Sequence, residues 1–180
     1  IYTGFTSDNF FTKNNFMNIL MNMSSRLVIA LGIAGCVITA GCDLSAGRMI
    51  GFGACISGML LQRMDYSGKF FPDMQPLNVF VVALIAMLVC AAFGTVTGFF
   101  IAYLNVPPFI ATLAMMEIVY GIGLIVTNAT PLGGYVEQYT NVSNGKFLGI
   151  NYLIWIAIIV AVITWFIFNM TRHGKYMYAI

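Results

Sequence analysis

Charge is scarce in this sequence: eight Lys and Arg and six Asp and Glu among 180 residues, 8% of the chain, against about 25% in a soluble globular domain. So little charge excludes a water-soluble protein. The net charge of +2 is too small for the basic footprint that nucleic acid requires. There is a single histidine, His173, set among cations near the end of the chain. Neither a Ser-His-Asp arrangement nor a His-based metal site is therefore available within the bilayer. The four cysteines, Cys36, Cys42, Cys55 and Cys90, stand singly in apolar sequence, without the paired spacing of zinc or redox sites, and read as small core residues. Gly68-Lys69, Gly145-Lys146 and Gly174-Lys175 each lack the first glycine and the following Ser or Thr of a P-loop, so the chain has no such ATP site.

What is abundant is apolar: 60% of residues are hydrophobic and the mean hydropathy is +0.89. Long uncharged runs separated by short charged clusters predict an all-α polytopic membrane protein with about five transmembrane helices. Residues 1–25, rich in Asn, Ser, Thr and Phe, read as an interfacial segment. Residues 26–62 read as two helices broken near Asp43. Residues 63–76, with Arg63, Asp65, Lys69, Asp73, Pro72 and Pro76, are too polar and broken to lie in lipid and form an aqueous loop.

The uncharged run from Met74 to Met116 would be roughly 65 Å long as one helix, about twice the hydrocarbon thickness. It must fold back, and the spacing predicts a helical hairpin over 77–126 turning at Pro107-Pro108. Residues 127–146 read as a second loop and 147–171 as the last helix. Arg172, His173 and Lys175, in the end segment 172–180, assign that end to the cytoplasm. Counting back through five spans puts Ile1 outside and the Pro107-Pro108 turn in the cytoplasm. The first residues lack the cationic and apolar regions of a signal peptide, and the sequence reads as a piece of a longer chain.

Few residues carry chemistry. Gly47 and Gly51, and Gly94 and Gly98 with Ala102 on the same face, have the spacing that lets membrane helices approach closely. Asp43 stands where an N-cap would, its carboxylate placed to accept from the N–H groups of Ser45 and Ala46 at the start of a helix from Leu44. It reads either as that cap or as part of a broken helix lining a solute path. Glu117, in mid-span, marks a protein interior or a pathway, or is a buried carboxyl group bonded between helices.

The string Ile38-Thr-Ala-Gly-Cys-Asp-Leu-Ser-Ala-Gly-Arg48 resembles the Gly-x-Asp-Leu-Ser-x-Gly signature of bacterial ABC-importer permeases for monosaccharides, the ribose, xylose and galactoside group. Ala102-Tyr-Leu-Asn-Val-Pro-Pro-Phe-Ile-Ala-Thr-Leu113, Ile118-Val-Tyr-Gly121 and Thr171-Arg-His-Gly-Lys175 follow in the family's order. Within that group the sequence is most similar to the galactose/methyl galactoside members, and it departs from the pattern at Pro107, Ala114 and Glu117.

The resemblance implies a fragment of a larger, roughly ten-helix permease in the bacterial inner membrane. The whole would pair with a second permease copy as a homodimer, a cytoplasmic ABC ATPase and a periplasmic sugar-binding protein, and would contact membrane lipid but no nucleic acid. It implies no enzyme activity and no cofactor in this chain, ATP and Mg being bound by the partner ATPase. The family's coupling loop, which docks that ATPase, would follow Ala179-Ile180. Asp43, Ser45, Asn105, Thr112 and Glu117 are the candidate substrate-pathway residues. The rival is an ion-coupled secondary carrier in which Glu117 binds the driving ion. A lipid-embedded enzyme is disfavoured by the lack of clustered catalytic groups.

Overall fold

Between Lys13 and Leu31 there is no glycine or proline, and Phe16, Ile19, Leu20, Met23 and Leu27 recur at the three- and four-residue spacing of a helix. Accordingly, in a computed structural model that describes residues 12–39 and 41–179, helix α1 runs unbroken over Lys13–Ile38. It begins inside the stretch expected to lie at the membrane surface, because apolar periodicity without a breaker outweighs the weak helix propensity of Asn and Ser. The part of that stretch before residue 12 lies outside the described residues, as do Ala40 and Ile180. Ser24, buried within α1, returns its hydroxyl to the Leu20 carbonyl at 2.7 Å.

The chain forms two compact units, one drawn from the residues up to Thr39 and from Asn141 onward, the other from Ala40–Thr140. In the first, α1 packs on α6 (Tyr152–Met170). The segment expected as a plain loop over 127–146 contains α5 (Glu137–Asn144). It leads into a hairpin of β1 (Lys146–Phe147) and β2 (Ile150–Asn151), Phe147 pairing with Ile150. Its turn residues Leu148 and Gly149 have φ of 53° and 80°, the double left-handed geometry of a type I′ turn.

The last helix therefore starts at Tyr152 rather than at Phe147, where Asn151 caps it. That side chain, 1% exposed, accepts from Leu153 N–H at 2.8 Å and donates to the Ser143 carbonyl at 2.7 Å. Beyond α6, α7 (Arg172–Met177) is capped by Thr171, whose hydroxyl accepts from the Gly174 N–H at 3.4 Å and donates to the Ile167 carbonyl at 2.6 Å.

The second unit holds α2 (Ala46–Leu60), α3 (Val79–Leu104) and α4 (Pro108–Thr127). Asn105 closes α3 in the left-handed conformation, φ 53°, a common helix stop. Pro108 opens α4, where its missing N–H costs nothing. Phe52, Ile56, Ala86, Met115 and Val119 form the core, and Phe52 meets Phe93 edge-on with centroids 5.6 Å apart.

Among the described residues α1, α3, α4 and α6 are long and apolar enough to cross a membrane. The fifth apolar helix, α2, has 15 residues, about 22 Å, short of the roughly 30 Å hydrocarbon core. Non-helical backbone precedes it, with the Cys42 carbonyl accepting from the Thr112 hydroxyl near the start of α4, while Gly58 packs against Leu132 beyond the end of α4. The chain is an all-α polytopic membrane protein.

Candidate functional site

Non-helical backbone at membrane depth is tolerated only where protein or water satisfies its polar groups. Residues 41–45, ahead of α2, are such a stretch, and the motif residues around them supply the bonds. Asp43 accepts from the Ser45 N–H at 2.9 Å and from the Ser45 hydroxyl at 2.7 Å. The Thr112 hydroxyl, 3% exposed, lies 3.2 Å from the Cys42 carbonyl and 2.8 Å from that of Pro108. Helix α2 thus opens at Ala46 with Ser45 as its N-cap, not at Leu44. The Asp43 carboxylate closes a turn on Ser45 instead of reaching the helix amides.

Asp43, Ser45 and Thr112 therefore gather at one end of the α2–α4 pair. Asn105 is exposed at the α3–α4 turn, its N–H bonded to the Phe100 carbonyl. Glu117 is exposed on α4 and makes no hydrogen bond or ion pair among the described residues. It lies opposite the buried stripe of Thr112, Met115 and Val119.

Gly47, Gly51, Gly94 and Gly98 have open space where a Cβ would stand, so none of them carries the contacts within this unit. Among the helix glycines of this unit the tightest surroundings are at Gly58, where a Cβ would stand 3.1 Å from the Leu132 side chain; at Gly53 and Gly123 it would meet Cys90 Sγ and Phe52 at 3.6 Å, ordinary contact. Because Asp43 satisfies a turn rather than free helix amides, Asp43→Ala is expected to lower stability by about 1 kcal/mol. Asp43→Asn, which keeps an acceptor, is expected to lose less. Thermal unfolding of the detergent-solubilised protein checks both.

Two features escaped sequence reasoning. Arg48 lies over the ring of Tyr120, its guanidinium carbon 4.0 Å from the centroid, a cation–π contact across α2 and α4. The only sequence signal was an unpaired arginine early in an apolar helix. Gln62, 1% exposed, donates from Nε2 to the Gly133 carbonyl at 3.1 Å and accepts at Oε1 from the Phe70 N–H at 2.7 Å. Together with Arg63 N–H to Gly134 and Val136 N–H to Leu61, it ties the two loops into one cap. No three His, Cys, Asp or Glu side chains among the described residues come together to hold a metal ion.

Residues 15–180 match the family described as branched-chain amino acid transport system, permease component. The chain is 42% identical over 173 residues to the galactose/methyl galactoside import permease protein of Haemophilus influenzae, covering 92% of this chain and 52% of that protein. To the Escherichia coli K12 protein of the same description it is 40% identical, covering 98% and 54%. To the ribose import permease protein of that strain it is 32% identical, covering 97% and 52%. The chain spans about half the length of the curated relatives it matches. No solved structure matches it. A match over nearly the whole chain, on a fold of apolar helices joined by short polar caps, means that it belongs to this family of membrane transport permeases.

Proposed function

We propose that the chain is part of the membrane-spanning subunit of an ATP-driven importer that carries a monosaccharide, galactose or methyl galactoside, across a bacterial inner membrane. The observation that carries this reading is the 40–42% identity, over more than nine tenths of the chain, to two galactose/methyl galactoside permeases, against 32% to a ribose permease. The family description speaks of amino acids, but these relatives are sugar permeases, and identity at this level outweighs a family title.

The partners are a second permease copy, a cytoplasmic ATPase that binds ATP and Mg, and an external sugar-binding protein. A permease of this kind makes and breaks no covalent bond in the sugar. ATP binding and hydrolysis in the partner shift it between inward-open and outward-open states, because each nucleotide state favours one of them. Of the five residues weighed for the path, Asp43, Ser45, Asn105 and Thr112 all bond to neighbouring groups through side chain or backbone. Glu117 stands free to meet a solute or an ion.

The test is uptake of labelled galactose, with ribose alongside, in cells lacking their own galactoside permease and given the full-length gene that encodes this chain. Galactose uptake is expected to exceed ribose uptake and to vanish when the partner ATPase is inactivated. Uptake that survives without the ATPase and collapses with the proton gradient would favour the ion-coupled carrier instead.

A further inference from the structure

Helix α4 has 20 residues, about 30 Å and so the thickness of the hydrocarbon core. Glu117 is its tenth residue and Tyr120 its thirteenth, so both lie near mid-depth. Arg48, the third residue of α2, reaches the same level through its 4.0 Å contact with the Tyr120 ring. Glu117 and Tyr120 are three apart and hence neighbours on the helix surface. All three side chains are exposed. An arginine and a glutamate at this depth are expensive against lipid and persist where they face protein or water. Arg48, against Tyr120, and Glu117, one turn from it, therefore mark surfaces turned away from hydrocarbon.

Beside Arg48 and Tyr120 is a half-open cavity of about 190 Å³, lined also by Phe52, Val119, Leu124 and Thr127; Glu117 lies outside that lining, about one turn before Tyr120 on α4. Gly51, also in its wall, has nothing within 4 Å of its Cβ position. The volume is below the roughly 300–1,000 Å³ of sites for drug-sized ligands and suits a single sugar ring. The chemistry is complementary to one. A guanidinium only donates hydrogen bonds and a carboxylate only accepts them, whereas each sugar hydroxyl does both. The aromatic and aliphatic wall suits the C–H face of the ring.

We infer that Arg48 and Tyr120 with the cavity beside them, and Glu117 one turn away on the same helix as Tyr120, form a contact point for a neutral monosaccharide on the permeation route. Arg48 donates to the sugar hydroxyls and Glu117 accepts from them. The inference rests on the sugar-import reading and adds to it the residues that meet the sugar.

The experiment uses the full-length permease with its ATPase and binding protein, and labelled galactose with labelled leucine alongside. Arg48→Gln, Tyr120→Leu and Glu117→Gln are expected to lower galactose uptake per permease in the membrane at least tenfold, and Arg48→Lys to recover part of it. Glu117→Cys, in a background with the native cysteines replaced by serine, is expected to react with a charged, water-soluble thiol reagent and to be shielded by galactose. Ile125→Cys, 76% exposed on another face of α4, is not.

Wild-type uptake of leucine and not galactose would overturn the sugar reading and the solute named here. Wild-type galactose uptake with all three variants equally active would overturn the contact point and leave the sugar reading standing. A position 117 that reacts only with a lipid-soluble reagent would do the same. Should the Arg48 and Glu117 variants fail to reach the membrane, Tyr120→Leu, which alters no charge, decides by its galactose uptake: a loss of at least tenfold supports the contact point and unchanged uptake overturns it.

Discussion

Gly174→Ala is expected to detach α7 from the end of α6 and to cost about 3 kcal/mol or more. A Cβ at this position would fall on the backbone carbonyl of Phe168. The obstacle is main chain, not the end of a flexible side chain, so no rotamer change relieves it. The close approach exists because Thr171 leaves helical geometry, with φ −101° and ψ 161°, and turns the chain back so sharply that Gly174 is buried against α6. The variant should lose α7 locally while α6 persists. Trypsin should then cleave after Arg172 and Lys175 much faster than in the wild type. Equal cleavage rates and an unchanged unfolding temperature would contradict this account of the turn.

Gln62→Leu is expected to be about as damaging, at roughly 2–5 kcal/mol, because it leaves two backbone groups, the Phe70 N–H and the Gly133 carbonyl, without partners where water is excluded. Its volume is close to that of glutamine, so packing alone predicts little change. Gln62→Glu separates the two bonds: the carboxylate still accepts from the Phe70 N–H but presents an acceptor to the Gly133 carbonyl. Protonation restores a donor there, so the folded state favours the protonated acid. This variant should therefore gain stability as pH falls, opposite to an ordinary paired carboxylate. Unfolding temperatures of the three proteins between about pH 5 and pH 8 are the measurement.

Legibility differed from element to element. The α3–α4 hairpin could be read from one dimension, because an uncharged run too long for a single span must turn and Asn105-Val-Pro-Pro108 is where helical backbone is least tolerable. The start of α1 was hidden by an Asn-rich composition whose polar side chains bond back to their own helix, as Asn22 does to the Asn18 carbonyl. The loops were recognised by polarity, but not that they pair. Nothing local in Leu61-Gln-Arg63 announces that its backbone and side chain will bond to residues 133–136.

For the candidate site, the sequence by itself determined the membrane class, the helix break at Asp43, and which few polar and charged groups enter the bilayer. Composition and periodicity are sums over neighbouring residues, and the lipid solvent acts on them directly. Only the tertiary structure decided what those groups do. It bonded Asp43 to Ser45 and Thr112 to the non-helical stretch at Cys42, and left the four motif glycines open. It brought Arg48, 72 positions away in the chain, onto Tyr120. The physical reason is that such contacts depend on the relative rotation and offset of two packed helices, which ridge-and-groove packing sets and no single helix encodes.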